Sequence, residues 1–347
     1  MMSVSEYAYG VARLRAKRAF MLKPDDYEAL LRAPTIHQAL THLRSVSDLA
    51  REIPQTESPH DIERHLLNKF AEIFQVLIKT LKGNSRAFLE TTFNKYEYET
   101  LKALLKAKFL GLSEGEISLV APPLGRYSGP LYASLLSTKG VDQAIDLIPD
   151  VELKLPLKEA SKQAEALKNP LPFETAVDNL LFTKLWKLAG KLKMIDRKWV
   201  AHLLGVEADI KNILVLVRGK ALGLQPSVIE KMLLPFCYKL PFNLKDLTSQ
   251  SLASILQVLS STYYGKALSS LAKDAIEIER ALQSLWVKEN ETVFLHYPFT
   301  LGLFYAYINL KYVELKDVRA ILLSKLAELP PQKVASLIIR HREKITV

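Results

Sequence analysis

The chain has 347 residues, 49% of them apolar, a formal charge of +10 and a single cysteine, Cys237. That apolar content excludes a disordered chain and is enough for a sizeable core, while one cysteine excludes an internal disulfide. The positive excess is spread along the whole chain, so a basic tail for nucleic acid is not indicated; only a patch assembled by folding could serve a polyanion.

Glycine is scarce and no stretch alternates at period two over several strands, so the elements are expected to be helices. Tyr7 to Phe20 predicts a helix with a basic face; Arg13, Arg15, Lys17 and Arg18 break up the apolar run a signal peptide would need. Pro24 and Asp25 predict a helix start near Asp26. Thr35 is the expected N-cap of a short helix whose apolar face is Ile36, Ala39, Leu40 and Leu43. Ile62–Glu63 with Leu66 opens a further helical pattern, and Tyr96 to Ile117 carries the next one. Ala121 to Pro130 is too rich in proline and glycine to continue a helix and reads as a joint.

The short-helix spacing returns at Gly140, Val141, Ala144, Ile145 and Ile148, and again at Ser251, Leu252, Ile255, Leu256 and Leu259. A loop is expected around Pro170 and Pro172. Phe173–Glu174 with Val177, and Ile278–Glu279 with Leu282, repeat the helix opening seen at Glu63. Lys184, Lys187, Lys191, Lys193, Arg197 and Lys198, with Trp186 and Trp199, read as a basic stripe on one helix, either a solvated face or a contact for lipid headgroups, acidic protein or nucleic acid. Leu234 to Phe242 is a second joint. Thr292 to Leu310 carries no charged residue, but Pro298 leaves about a dozen helical residues, too few to span a bilayer and right for a buried core helix.

One pattern orders all of this. Glu97, Thr100, Leu101, Leu104, Leu105, Lys108, Leu112 and Ile117 recur at identical spacing as Asp209, Asn212, Ile213, Leu216, Val217, Lys220, Leu224 and Ile229, and as Glu314, Asp317, Val318, Ile321, Leu322, Lys325, Leu329 and Val334. The landmark glutamates Glu63, Glu174 and Glu279 precede the repeated lysine by 45, 46 and 46 residues. The sequence is therefore a triplicated helical unit, with expected boundaries 1–121, 122–235 and 236–347. Its acid and lysine read as helix-end charges suited to the dipole, or as inter-helix partners, instead of reactive groups.

No chemistry emerges from the usual templates. Gly219–Lys220 and Gly265–Lys266 lack the upstream glycine of a phosphate loop. His37 with His42, and His60 with His65, step by five residues, which sends the two rings of a pair to diverging helix faces. Cys237, between Phe236 and Tyr238, is expected as a small core residue. No catalytic, cofactor-binding or metal-binding residue is therefore expected.

YAYGVARLRAKRAFML near the start, EYETLKALLKAKFLGLS, VEADIKNILVLVRGKALGL, and FTLGLFYAYINLKYVELKDVRAILLSKLAELPPQKV near the end together resemble the C subunits of archaeal and bacterial V/A-type ATP synthases, counterparts of the d subunit in eukaryotic V-ATPases. The likeness runs over essentially the whole chain in order. It departs at Val217–Arg218–Gly219 and at the bulkier Phe109. The resemblance implies an all-α protein of three similar helical domains in a pseudo-threefold funnel, with no cofactor. It implies a non-catalytic rotor subunit that couples the central stalk to the membrane proteolipid ring, held peripherally at the cytoplasmic face of the cell membrane, with no nucleic acid as partner. The alternative from another class is a basic α-helical repeat protein that binds nucleic acid through the Lys184–Lys198 stripe.

Overall fold

In the computed structural model, residues 2–54, 58–268, 275–341 and 344 are described. The architecture is all-α; the one bridge among the described residues joins Leu124 to Tyr127. The chain runs α1 (Met2–Arg18), α2 (Pro24–Arg32), α3 (Ile36–Val46), α4 (Pro59–Ile78), α5 (Gly83–Phe109) and α6 (Glu114–Val120). It continues through α7 (Gly129–Ser137), α8 (Val141–Leu147), α9 (Val151–Leu167), α10 (Leu171–Gly190), α11 (Met194–Ala221) and α12 (Pro226–Met232). It ends with α13 (Leu252–Ser260), α14 (Gly265–Leu268), α15 (Ala275–Thr292), α16 (Leu301–Leu326) and α17 (Pro331–Ala335). Among the described residues no helix is long and apolar enough to cross a membrane.

Local chemistry explains most boundaries. The Thr35 hydroxyl accepts from the Gln38 amide and the Ser251 hydroxyl from the Ser254 amide, so both caps sit where side-chain oxygens can satisfy first-turn donors. α2 begins at Pro24, two residues before the expected start, because proline is suited to the first turn. The loop expected around Pro170 and Pro172 shrinks to residues 168–170, and Pro172 sits in the first turn of α10 for the same reason. The segment expected as a buried core helix is the first half of α16, in which Leu301 to Leu310 are all buried.

Two readings of the sequence are corrected. Glu97 lies in the middle of α5, not near its start, since the helix begins at Gly83; the dipole cannot account for the acid there, because its effect fades within the terminal turn. Cys237 is exposed. Its neighbours face inward on either side: Phe236 stacks on Trp186 at 4.8 Å and Tyr238 packs over the bare Cα of Gly205, which leaves Cys237 turned outward.

The three longest helices, α5, α11 and α16, carry the three copies of the repeated motif. Each is preceded by its antiparallel partner (α4, α10 or α15) and also packs on the partner belonging to another copy: α5 on α10, α11 on α15, and α16 back on α4. The last repeat thereby meets the first. The larger apolar core runs from Tyr7 through Leu204 and on to Ile338, and a smaller one gathers Val206 to Leu282.

Candidate functional site

The repeated acid and the polar residue three places on clamp the chain where it leaves each repeat. In the first copy, Glu97 accepts from the Arg126 amide at 2.8 Å and from its guanidinium at 2.9 Å, while the Thr100 hydroxyl donates to the Pro122 carbonyl at 2.8 Å. Gly125, at φ +56°, lies so close to the Glu97 carboxylate that a Cβ would collide with it. In the second copy, Asp209 accepts from the amides of Tyr238 (2.8 Å) and Lys239 (2.6 Å) and from the Tyr264 hydroxyl (2.7 Å). Asn212 there accepts from the Leu234 amide at 2.6 Å and donates to the Phe236 carbonyl at 3.2 Å. In the third, Asp317 accepts from the amides of Ile339 (2.9 Å) and Arg340 (3.0 Å), and Glu314 holds the Leu22 amide (2.8 Å), Lys311 (2.6 Å) and Arg340 (3.1 Å). Burial pushes all three of Glu97, Asp209 and Asp317 upward against these donors, Asp317 to about 7.

In the first and third copies the repeated lysine holds the end of a different helix. Lys108 donates to the Leu136 and Thr138 carbonyls at the end of α7. Lys325 donates to the Leu31 and Ala33 carbonyls at the end of α2. A cation there satisfies orphan acceptors and meets the negative end of the dipole. In these two copies the lysine is thus an inter-helix partner, whereas the acid ties down a connecting segment.

The landmark glutamates complete a second set of contacts. Glu174 on α10 pairs with Lys106 of α5 at 2.7 Å, Glu279 on α15 with Arg218 of α11 at 2.7 Å, and Glu63 on α4 with Arg319 of α16 at 2.6 Å. Each acid is held by a base from the long helix of another copy, in the same cyclic order as the packing. Sequence reasoning saw the glutamates but not their partners, which lie 68, 61 and 256 residues away. A base two or six places before the repeated lysine was the available signal.

These contacts surround a cavity of about 220 Å³. Two residues before the repeated acid stand Lys95, Glu207 and Tyr312; two after it stand Glu99, Lys211 and Lys316; all six line this one cavity. Lys95 is buried, pairs with Glu207 at 2.6 Å and lies 4.8 Å from the Trp286 ring centre. Burial lowers the Lys95 ammonium against the pull of Glu207. Lys102, which helical periodicity sets off the stripe of Leu101, Leu104 and Leu105, is nevertheless 5% exposed and joins Glu99 (2.8 Å) to Asp178 (3.0 Å), which also holds Lys211 (2.7 Å). Burial works against the Glu99 carboxylate, but Lys102, Lys211 and Lys316 outweigh it and hold it well below the usual range. Two groups remain unspent. Lys316 is exposed to the cavity with no ion-pair partner among the described residues, and the buried indole N–H of Trp286 has no acceptor.

The basic stripe does not form one face. α10 ends at Gly190 and α11 begins at Met194, so Lys184 and Lys187 lie on one helix, Lys191 and Lys193 in the turn, and Arg197 and Lys198 on the next. Lys184 pairs with Glu152 at 2.6 Å and Lys193 with Glu6 at 2.5 Å. The histidines lie elsewhere: His65 meets the Asp61 carbonyl at 2.8 Å and His42 approaches Asp26 at 3.4 Å. Among the described residues no group of three or more His, Cys, Asp and Glu side chains could hold a metal ion.

All-helical repeats joined by exchanged ion pairs around a charged cavity place the chain in the class of helical-repeat proteins. A family model described as ATP synthase (C/AC39) subunit matches residues 10–337. Among its relatives is the C subunit of the A-type ATP synthase of Methanocaldococcus jannaschii, 25% identical over 98% of this chain and 88% of that one. Those of Methanothermobacter thermautotrophicus (25%; 92% and 84%) and Methanococcoides burtonii (25%; 97% and 95%) are similar to it over comparable lengths. The chain belongs to the ATP synthase C/AC39 subunit family and is a non-catalytic part of a V/A-type ATP synthase complex.

Proposed function

We propose that this chain is the rotor adaptor of its complex, a three-domain funnel (1–121, 122–235 and 236–347) that couples the central stalk to the membrane proteolipid ring and passes torque between them. The observation that carries this reading is the cavity wall: equivalent positions of three repeated helices face one space, as a socket for a central shaft requires. The cyclic ion pairs suit the load. A twist applied at the socket is resisted by Lys106–Glu174, Arg218–Glu279 and Arg319–Glu63 together, so no single repeat bears it alone. The cavity is lined from the middle of α5, α11 and α16, at Lys95, Glu99 and Lys102, at Glu207 and Lys211, and at Tyr312 and Lys316; in this reading the stalk enters past one end of these helices and the ring meets the other. The protein then sits peripherally at the cytoplasmic face of the membrane.

Lys316, whose ammonium lies 5.6 Å from the Tyr312 ring centre, is exposed in the socket without an ion-pair partner among the described residues, and an acidic shaft tip would use it. The test is capture of central-stalk subunits by the isolated chain. Lys316→Glu is expected to weaken capture about tenfold, the cost of one unpaired charge, with an unchanged melting temperature. Undiminished capture by the variant, or robust ATP hydrolysis by the isolated chain, would overturn the reading.

A further inference from the structure

A second pocket, of about 340 Å³, lies where the turn between α1 and α2 meets the segment beyond α17. Arg18 and Ala19 at the end of α1, Met21 to Lys23 in the turn, Pro24 of α2, and Arg340 with His341 form its wall. The volume is at the lower end of small-molecule sites. Its charge is one-sided. The central cavity sets five bases against five acids, whereas this wall holds Arg18, Lys23 and Arg340 and, among the described residues, no acid.

Arg340 is 8% exposed and only partly used by the fold. Its Nη1 donates to the Leu22 carbonyl at 3.2 Å and to Glu314 at 3.1 Å, and Glu314 is already shared with Lys311. Its buried Nε has no acceptor, since Glu291 stands 3.6 Å away, and Nη2 donates to nothing among the described residues. The Nε–Nη2 edge is a side of the guanidinium that can grip an oxyanion with two parallel bonds. A buried donor left without an acceptor costs free energy that a ligand can recover. Arg18, its guanidinium 3.8 Å from the Phe294 ring centre, and Lys23 are both exposed and without an ion-pair partner among the described residues. Burial and then the Arg340 charge lower the Arg18 guanidinium, which Glu291 offsets only in part. Burial, Arg340 and Lys344 likewise push His341 down to about 4, so positive charge is crowded here.

We propose that this pocket binds a phosphate group, held by the Nε–Nη2 edge of Arg340 and closed over by Arg18 and Lys23. Three cations from three segments suit a divalent oxyanion with several acceptors better than a monovalent carboxylate. No Phe, Tyr or Trp lines the pocket among the described residues, and Arg18 covers the nearby Phe294, so a nucleoside base finds no ring to stack on. The phosphate itself is what is recognised, and free inorganic phosphate shares that chemistry with the tail of a nucleotide. Bound there, it ties the turn between α1 and α2 to the segment beyond α17 and braces the contact between the two ends of the chain. The inference is independent of the adaptor reading.

The experiment is calorimetric titration of the full chain, at constant ionic strength, with inorganic phosphate, with adenosine triphosphate and with acetate. Phosphate is expected to bind at one site and to raise the melting temperature as its concentration rises. Acetate is expected to bind about tenfold more weakly or less. Arg18→Gln with Lys23→Gln should weaken phosphate binding about tenfold or more, the loss expected for charge-assisted bonds. Lys162→Gln with Lys187→Gln makes the same change in net charge at distant exposed positions and should leave it intact. Arg340→Lys keeps the charge and loses the two-pronged edge, and should also weaken binding about tenfold. Should that variant fail to fold, the exposed Arg18 and Lys23 pair still decides. Competition separates the two sources: equal affinities with mutual displacement assign free phosphate, and a nucleotide bound about tenfold tighter, lost in the same variants, assigns a nucleotide tail. No binding of either, equal binding of acetate, full binding by the Arg18 and Lys23 pair, or an equal loss in the control pair overturns the proposal.

Discussion

The first and third clamps occupy the same positions of the repeat and are built differently. Glu97 ties down a loop only 29 residues ahead, and its main partner, Arg126, is half-exposed and also reaches Asp150 and Asn94. Glu314 is fully buried, as is Lys311, and between them they hold Asp48, Leu22 and Arg340, from both ends of the chain. Where the chain is already close, a half-exposed pair suffices. Where segments nearly 300 residues apart must be brought together, the same register has gathered a dense buried network. In such a network, removing one member leaves its buried neighbours with fewer opposite charges and no water to replace them.

The largest expected effect separates these two clamps. Glu314→Ala should cost about 3–5 kcal/mol, because buried Lys311 is left with Asp48 alone, Arg340 with only Glu291 at 3.6 Å, and the Leu22 amide with no acceptor, while Glu97→Ala should cost roughly 1–3 kcal/mol, since Arg126 can turn to water. Denaturant titration of the two variants decides it; equal losses would remove the distinction. Arg319→Ala strips the partner from Glu63, which is 2% exposed, and should cost about 3 kcal/mol. Lys106→Ala should cost less than about 1 kcal/mol, because Glu174 keeps Arg218.

A pH series sharpens the third clamp further. The Asp317 carboxyl is raised by burial from 3.8 to about 7, so the folded state binds its proton more tightly than the unfolded state does. Its contribution is therefore fully present below about pH 4 and is lost as pH rises toward 7, by at most ~1.4 kcal/mol per pH unit. Melting temperatures of the wild type and Asp317→Asn should diverge across that window, the wild type losing ground as pH rises; parallel curves would refute it. The smallest effect concerns the lysines. Lys108→Met and Lys325→Met each free two carbonyls and should cost about 1–2 kcal/mol. No hydrogen bond or ion pair joins Lys220 to another side chain or carbonyl among the described residues, so Lys220→Met should stay within ~0.5 kcal/mol.

What the sequence discloses is whatever short spacing encodes. The Thr35 and Ser251 caps, the buried face of α3 and the apolar half of α16 follow from neighbours within a few turns. The identical register of 97, 209 and 314 marks all three clamps before any partner is known. The partners themselves are hidden, because Arg319 and Glu63, or Lys95 and Glu207, meet only through the path of the whole chain. Lys102 and Lys211 illustrate the loss. By periodicity they belong to a polar face, and only the convergence of three such faces turns that surface into a cavity wall. Cys237 shows the reverse: an apolar neighbourhood in sequence can leave one residue outside when its two neighbours take the inward contacts.

The return of α16 to the first repeat sets an order of events in synthesis. Tyr27 is fully buried, partly through its hydroxyl on Asp317, and the Leu22 amide finds its acceptor only on Glu314. A growing chain has neither acceptor until some 290 residues later, so the N-terminal helices emerge from the ribosome with apolar faces uncovered. Chaperone demand should thus fall on roughly the first hundred residues, and aggregation of truncated chains should begin there.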